Sequence, residues 1–135
     1  MGQPAARRTD KVAGSDTHVV LVPSPPGAPV PTSLPGHVFS GPITSSTSTD
    51  VLIEGLPAAT VGSVAQNIPP HLPVPPGTSF VSPPSNRGTV SQGSSSVTID
   101  GKAAARLGDA VRTCNDPVDV DAATIVGGAS SVMVG

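Results

Sequence analysis

One motif occurs three times in this 135-residue chain, and its third copy is split between the two ends. Residues 51–63 read Val-Leu-Ile-Glu-Gly-Leu-Pro-Ala-Ala-Thr-Val-Gly-Ser, and residues 97–109 read Val-Thr-Ile-Asp-Gly-Lys-Ala-Ala-Ala-Arg-Leu-Gly-Asp. The two segments align without a gap at an offset of 46. In each, alternating apolar residues lead into a Glu-Gly or Asp-Gly step, the pattern of two short strands joined by a tight turn. The Ala-Ala pair that follows is small enough for backbones to meet closely around an axis. In the split copy, residues 128–135 align with residues 93–100 and supply the first strand. Gly2-Gln3-Pro4-Ala5-Ala6-Arg7 aligns with Gly55-Leu56-Pro57-Ala58-Ala59-Thr60 and supplies the second. The two ends must lie side by side for this copy to form. Three hairpins then close into a pseudo-threefold ring, which leaves few free strand edges.

Composition agrees with a small all-β fold in a single domain spanning residues 1–135. Valine is the commonest large apolar residue, which favours strands. Apolar residues make up 36% and the net charge is −2, unlike the apolar-poor, highly charged chains that stay disordered. Phe39 and Phe80 are the only aromatic residues, so the core is limited and the chain needs another source of stability. With no basic cluster and no aromatic platform, the chain is not a nucleic-acid binder. No apolar run is long enough for a spanning helix. The first eight residues lack the apolar segment of a signal peptide, so the expectation is a protein made in the cytoplasm.

Proline-rich arms of unequal length separate the hairpins. The first, about 11–50, and the second, about 64–92, carry seven prolines each, a spacing expected to give stiff extended backbone without internal hydrogen bonds. Their apolar residues, among them Val20, Leu21, Phe39 and Phe80, point to ordered arms wrapped on the ring rather than free linkers. The third arm, 110–124, is short and contains the turn signal Asp116-Pro117-Val118-Asp119.

The arms hold every histidine and the one cysteine: His18 and His37 in the first, His71 in the second, Cys114 in the third. In number and type these equal the donors of a tetrahedral structural zinc site. The repeats place them alike, since Pro4 to His18 and Pro57 to His71 both span 14 residues and Ala103 to Cys114 spans 11. Local spacing alone leaves open surface histidines and an inert thiol, because close ligand pairs are absent. A Cys–His nucleophile would need an orienting group, for which Asp109, Asn115 and Asp116 are available but not singled out. Asp116, Asp119 and Asp121 lack the glycine and distal glutamate of a calcium loop and read as a solvated loop.

The Pro4-Ala5-Ala6-Arg7 tetrad, together with the segment from Val97 to Asp109, resembles the PAAR-repeat proteins. That resemblance implies a small cone of short strands, with Pro-rich arms longer than in compact members, capping the spike of a contractile injection machine. Such machines include type VI secretion systems and phage-tail-like particles. It implies one structural zinc per chain, held near the apex by His18, His37, His71 and Cys114, and no catalytic residues. It also implies a homotrimeric, VgrG-like spike protein as partner, bound through the base of the cone. Transient contact with a target membrane follows, as does delivery outside the cell or into a target, with non-covalently docked cargo compatible with the role. The central copy departs by carrying Thr60 where arginine is expected. Two other readings remain: a free-standing metal- or thiol-dependent enzyme, and a Pro-rich adhesive or linker segment.

Overall fold

In the computed structural model, which describes residues 2–135, the split repeat closes. The first seven strands are β1 (Gln3–Pro4), β2 (Lys11–Val22), β3 (Val30–Ser45), β4 (Leu52–Ile53), β5 (Leu56–Pro57), β6 (Val64–Gln66) and β7 (Ser79–Phe80). They are followed by β8 (Arg87–Val90), β9 (Thr98–Ile99), β10 (Lys102–Ala103), β11 (Ala110–Thr113), β12 (Val120–Ile125) and β13 (Met133–Val134). The fold is all-β, and no helix forms among the described residues.

Three two-stranded hairpins share one register. Ile53 faces Leu56, Ile99 faces Lys102, and Val134 faces Gln3. Glu54-Gly55 and Asp100-Gly101 turn the two continuous hairpins with positive φ at both positions, which is why the second is glycine. In the third, β13 and β1 pair across the two ends of the chain.

The alanine pairs explain how the hairpins join. The Ala6 amide donates to the Ala105 carbonyl, Ala105 to Ala59, and Ala59 to Ala6, each at 3.0 Å. This triangle brings three backbones to one axis, where nothing larger than a methyl group fits beside them. Ala5, Ala58 and Ala104 turn the other way and pack with Ile53, Ile99 and Val134 in the core of the hairpin ring. Ala6, Ala59 and Ala105 join a second core with Val12, Phe39, Ile43, Val90, Val111 and Ile125.

That second core fills a closed barrel. Its strands run β2-β3-β6-β8-β11-β12, and β12 pairs back onto β2. Each arm contributes one antiparallel pair, so the barrel repeats the threefold plan of the ring. Pairing around a closed circuit satisfies both sides of every strand over the paired segments and removes exposed edges. Beyond the barrel, β2 and β3 continue as a hairpin from His18–Leu34 to Val22–Val30, with β7 added on the β2 side.

The first arm therefore corrects the expectation of unpaired extended backbone, because most of it is a hydrogen-bonded hairpin. Pro31, Pro35 and Pro42 are tolerated in β3 because its second side meets another strand only at Ile43 and Ser45. Proline cannot donate to a ladder, and an edge segment does not ask it to on that side.

A side-chain belt ties neighbouring repeats. The Ser48 hydroxyl donates to Asp100 at 2.6 Å, and Ser131 donates to Glu54 through its amide at 2.8 Å and through its hydroxyl. Ser94 donates to the Gly135 carbonyl in the third place. Glu54 also accepts from Arg7 at 2.7 Å. The hydrogen bonds from Ser131, with smaller help from Ser130, lower the Glu54 carboxyl from its ordinary 4.5 to about 2. A depressed acid stabilises the fold above its ordinary pKa and loses that contribution as pH falls through the folded value. Closure of the split repeat should thus loosen between pH 4.5 and about 2. The Ser131 amide resonance should titrate with a midpoint near 2, and a midpoint near 4.5 would contradict the contact.

Candidate metal centre

Strand alternation aims one face of β2 into the barrel. Val12, Asp16, His18 and Val20 are buried on that face while Lys11 and Ser15 are exposed. Opposite, His37, Phe39 and Ile43 of β3 point inward. Between Asp16↔His37 and His18↔Leu34 the ladder slips, with Thr17 facing Pro35 and Gly36. Gly36 takes φ +91°, a conformation that L side chains resist. Such a bulge re-aims the side chains beside it, here Asp16, His18 and His37.

The other two arms close on the same place. Asn86 holds the second arm by accepting from the His71 amide at 2.8 Å and from the Asn67 side chain at 3.1 Å. Asn67 in turn accepts from the Ser40 amide at 2.9 Å. In the third arm, Asn115 accepts from the Thr17 amide at 2.7 Å, and Asp116 accepts from the Val19 amide at 2.9 Å.

His18, His37 and His71 therefore stack edge to face, with ring centroids 5.1, 5.1 and 5.8 Å apart. Phe80 covers His18 and His37, each at 5.5 Å. The Cys114 sulfur lies 3.8 Å from His18 Nε2 and 3.6 Å from Asp16 Oδ2, and Asp16 Oδ2 lies 2.8 Å from His71 Nε2. One donor atom from each of Asp16, His18, His71 and Cys114 lies within 4.8 Å of all the others. All four residues are buried, and the group can hold a metal ion. The cluster lies between the barrel core and the outer part of the β2–β3 hairpin.

The donors suit a borderline divalent metal. Tetrahedral bonds of about 2.0–2.3 Å separate their donors by about 3.3–3.7 Å, close to the two sulfur distances here. The site already attracts positive charge. Burial opposes protonation of His71, but the hydrogen bond to Asp16 and the adjacent Cys114 sulfur outweigh it and raise its pKa to about 9. His37 moves the other way, lowered by burial and then by His18 and His71.

All four residues singled out in the sequence thus lie in one neighbourhood, although His37 is outside the four-donor group. Two residues were missed. Asp16 stands two positions before His18 on an alternating strand, which was the available signal. Asp116, expected in a solvated loop, instead faces His18 Nδ1 at 3.3 Å. That carboxylate fixes the proton on Nδ1 and leaves Nε2 free toward Cys114, the usual arrangement behind a metal-bound histidine.

A family model described as the PAAR motif matches residues 82–135. The matched segment contains β8 through β13, one whole hairpin and Cys114. Among curated proteins, none matches the sequence.

Proposed function

We propose that the chain is the tip of the spike of a contractile injection machine, a reading supported by the match of residues 82–135 to the PAAR motif. A zinc ion would stiffen it, and a homotrimeric, VgrG-like spike protein would bind the hairpin ring. The supporting observation is a threefold ring built by one chain, with a buried donor cluster across the barrel from it. A trimer ends in a threefold face, and a monomer matches that face only by presenting three similar surfaces. Here Leu52, Thr98 and Met133 occupy equivalent hairpin positions and all are exposed, Leu52 to 63% and Met133 to 57%. Apolar groups left in water at related positions favour a partner surface.

A strictly symmetric trimer would supply each ligand type in threes, whereas unequal repeats keep likeness at the ring and break it at the cluster. There His18, His71 and Cys114 offer three donors to the metal, and His37 and Asp16 compete for the fourth place. When bound, the metal supplies cross-linking without an open coordination position, so its role is structural. A thiol enzyme needs a reachable nucleophile, and Cys114 is only 3% exposed. Piercing of a target membrane and carriage of docked cargo follow from the tip position as parts of the same proposal.

Two measurements test it. Elemental analysis should find about one zinc per chain, and less than about half would count against the metal. Replacing Leu52 and Met133 together with Asp should abolish co-purification with the spike trimer while the melting temperature stays near that of the parent. Unchanged co-purification would remove the ring as the docking face.

A further inference from the structure

We infer that the lobe beyond the cluster seats in the interface of a lipid bilayer through apolar and proline contacts alone, with no need of anionic lipid. The lobe is the outer part of the β2–β3 hairpin, β7 and the second arm around it. The inference deepens the tip reading above, on which its purpose rests, but its test needs no spike protein.

Charge is divided sharply along the chain. Residues 17–49 and 55–86 contain no Asp, Glu, Lys or Arg, so the seven basic and nine acidic residues all lie outside them. Asp16, next to the first stretch, is buried, and Asp116 directs its carboxylate to the Val19 amide at 2.9 Å. Asp119, three residues on, is exposed and belongs to the third arm. Charged groups are costly to move toward hydrocarbon, and the lobe itself carries none.

The lobe also holds apolar side chains in water. Val30, Leu72 and Val81 are exposed on it, Leu72 to 80%, and Val38 and Ile68 are exposed at its foot. Two of its hydroxyls are satisfied by its own backbone. Thr32 donates to the Val30 carbonyl at 3.2 Å and Thr78 to the Leu21 carbonyl at 3.3 Å.

The free edge of β3 is the feature that separates a membrane from a protein partner. Val19 and Leu21 turn their carbonyls toward Val81 and Thr78 on the β7 side. Their partners across the ladder, Ser33 and Pro31, therefore turn their backbone polar groups to the open side of β3. Pro31 has no N–H to offer there, nor has Pro35 beside the bulge, which leaves Ser33 as the donor between them. An open edge is excluded from lipid because its unsatisfied donors cannot be hydrated, and prolines remove those donors. The same prolines refuse an added strand, and the lobe lacks the charged groups that anchor the rim of a protein interface.

Vesicle flotation of the full chain, kept in zinc, tests the inference. The parent should float with vesicles of phosphatidylcholine alone. Binding should not strengthen when about one third of the lipid is phosphatidylglycerol, nor weaken in raised salt. Leu72→Asp combined with Val81→Asp should weaken vesicle binding at least about tenfold while the melting temperature stays near that of the parent. If that double variant is recovered unfolded, Leu72→Asp alone replaces it, with weaker binding again expected. Leu52→Asp with Met133→Asp, on the ring, should float like the parent. A parent that does not float, one that floats only with the anionic lipid, or a lobe variant that floats as well as the parent overturns the inference. So does a ring variant that no longer floats. Flotation by a parent that fails to co-purify with the spike trimer would support the lobe as a lipid-binding surface and remove the tip reading instead.

Discussion

Removing zinc with a chelator, or replacing Cys114 with Ala, is expected to lower the melting temperature by about 12–16 °C. Structural zinc contributes about 10–16 kcal/mol of apparent folding free energy in small peptides. Here the effect should be smaller, because the barrel has its own apolar core below the cluster. A loss of about 4 kcal/mol, at roughly 3–4 °C per kcal/mol for a chain of this size, gives that shift. The damage should also be uneven. Residues 17–37 and 67–86 line the cluster and are otherwise joined by the short β2–β7 pairing, so their amides should lose hydrogen-exchange protection first while β8 and β11 hold. A melting temperature unmoved by the chelator, with zinc shown to have left, would rule out a stabilising metal.

Ala59→Leu is expected to cost at least about 4 kcal/mol and to leave little folded protein. Overpacking a filled core typically costs about 1–3 kcal/mol. At Ala59 the added carbons also meet the triangle in which Ala6, Ala59 and Ala105 exchange backbone hydrogen bonds at 3.0 Å. Each buried amide or carbonyl forced from its partner adds about 1–3 kcal/mol. Ala105→Leu should behave alike, since the two positions are equivalent. Urea denaturation measures both, and a change below about 1 kcal/mol would show that the axis has room the packing does not suggest.

The ring was legible because its signals are local. Alternating Val-Leu-Ile and Val-Thr-Ile before Glu54-Gly55 and Asp100-Gly101 set both strand pairing and turn, and the same spacing located the split copy. Small residues at Ala58-Ala59 and Ala104-Ala105 marked the axis for the same reason. The long β2–β3 hairpin was not legible, because Pro31, Pro35 and Pro42 argue against a strand unless one side of it is known to lack a partner. That is a tertiary fact. Asp16 was hidden for a related reason. An aspartate in a polar-looking stretch, Gly14-Ser15-Asp16-Thr17, reads as surface until the barrel shows which alternate residues face inward. Asp116 was misjudged because Asp-Pro is a strong turn signal, and turns are usually solvated. Here the turn is pressed against β2, and its carboxylate takes up the Val19 amide.

The pairing of Gln3 with Val134 and Pro4 with Met133 makes the position of the chain break a matter of choice. A permuted gene that links the present ends and opens instead at Gly55 or Gly101 would pass through the same three lobes in a rotated order. Each permutant would move the interruption to another corner of the triangle while leaving the donor residues on uncut stretches. Any segment grafted at the opening would leave the body at a chosen one of three corners, so one scaffold offers three exit points for a passenger.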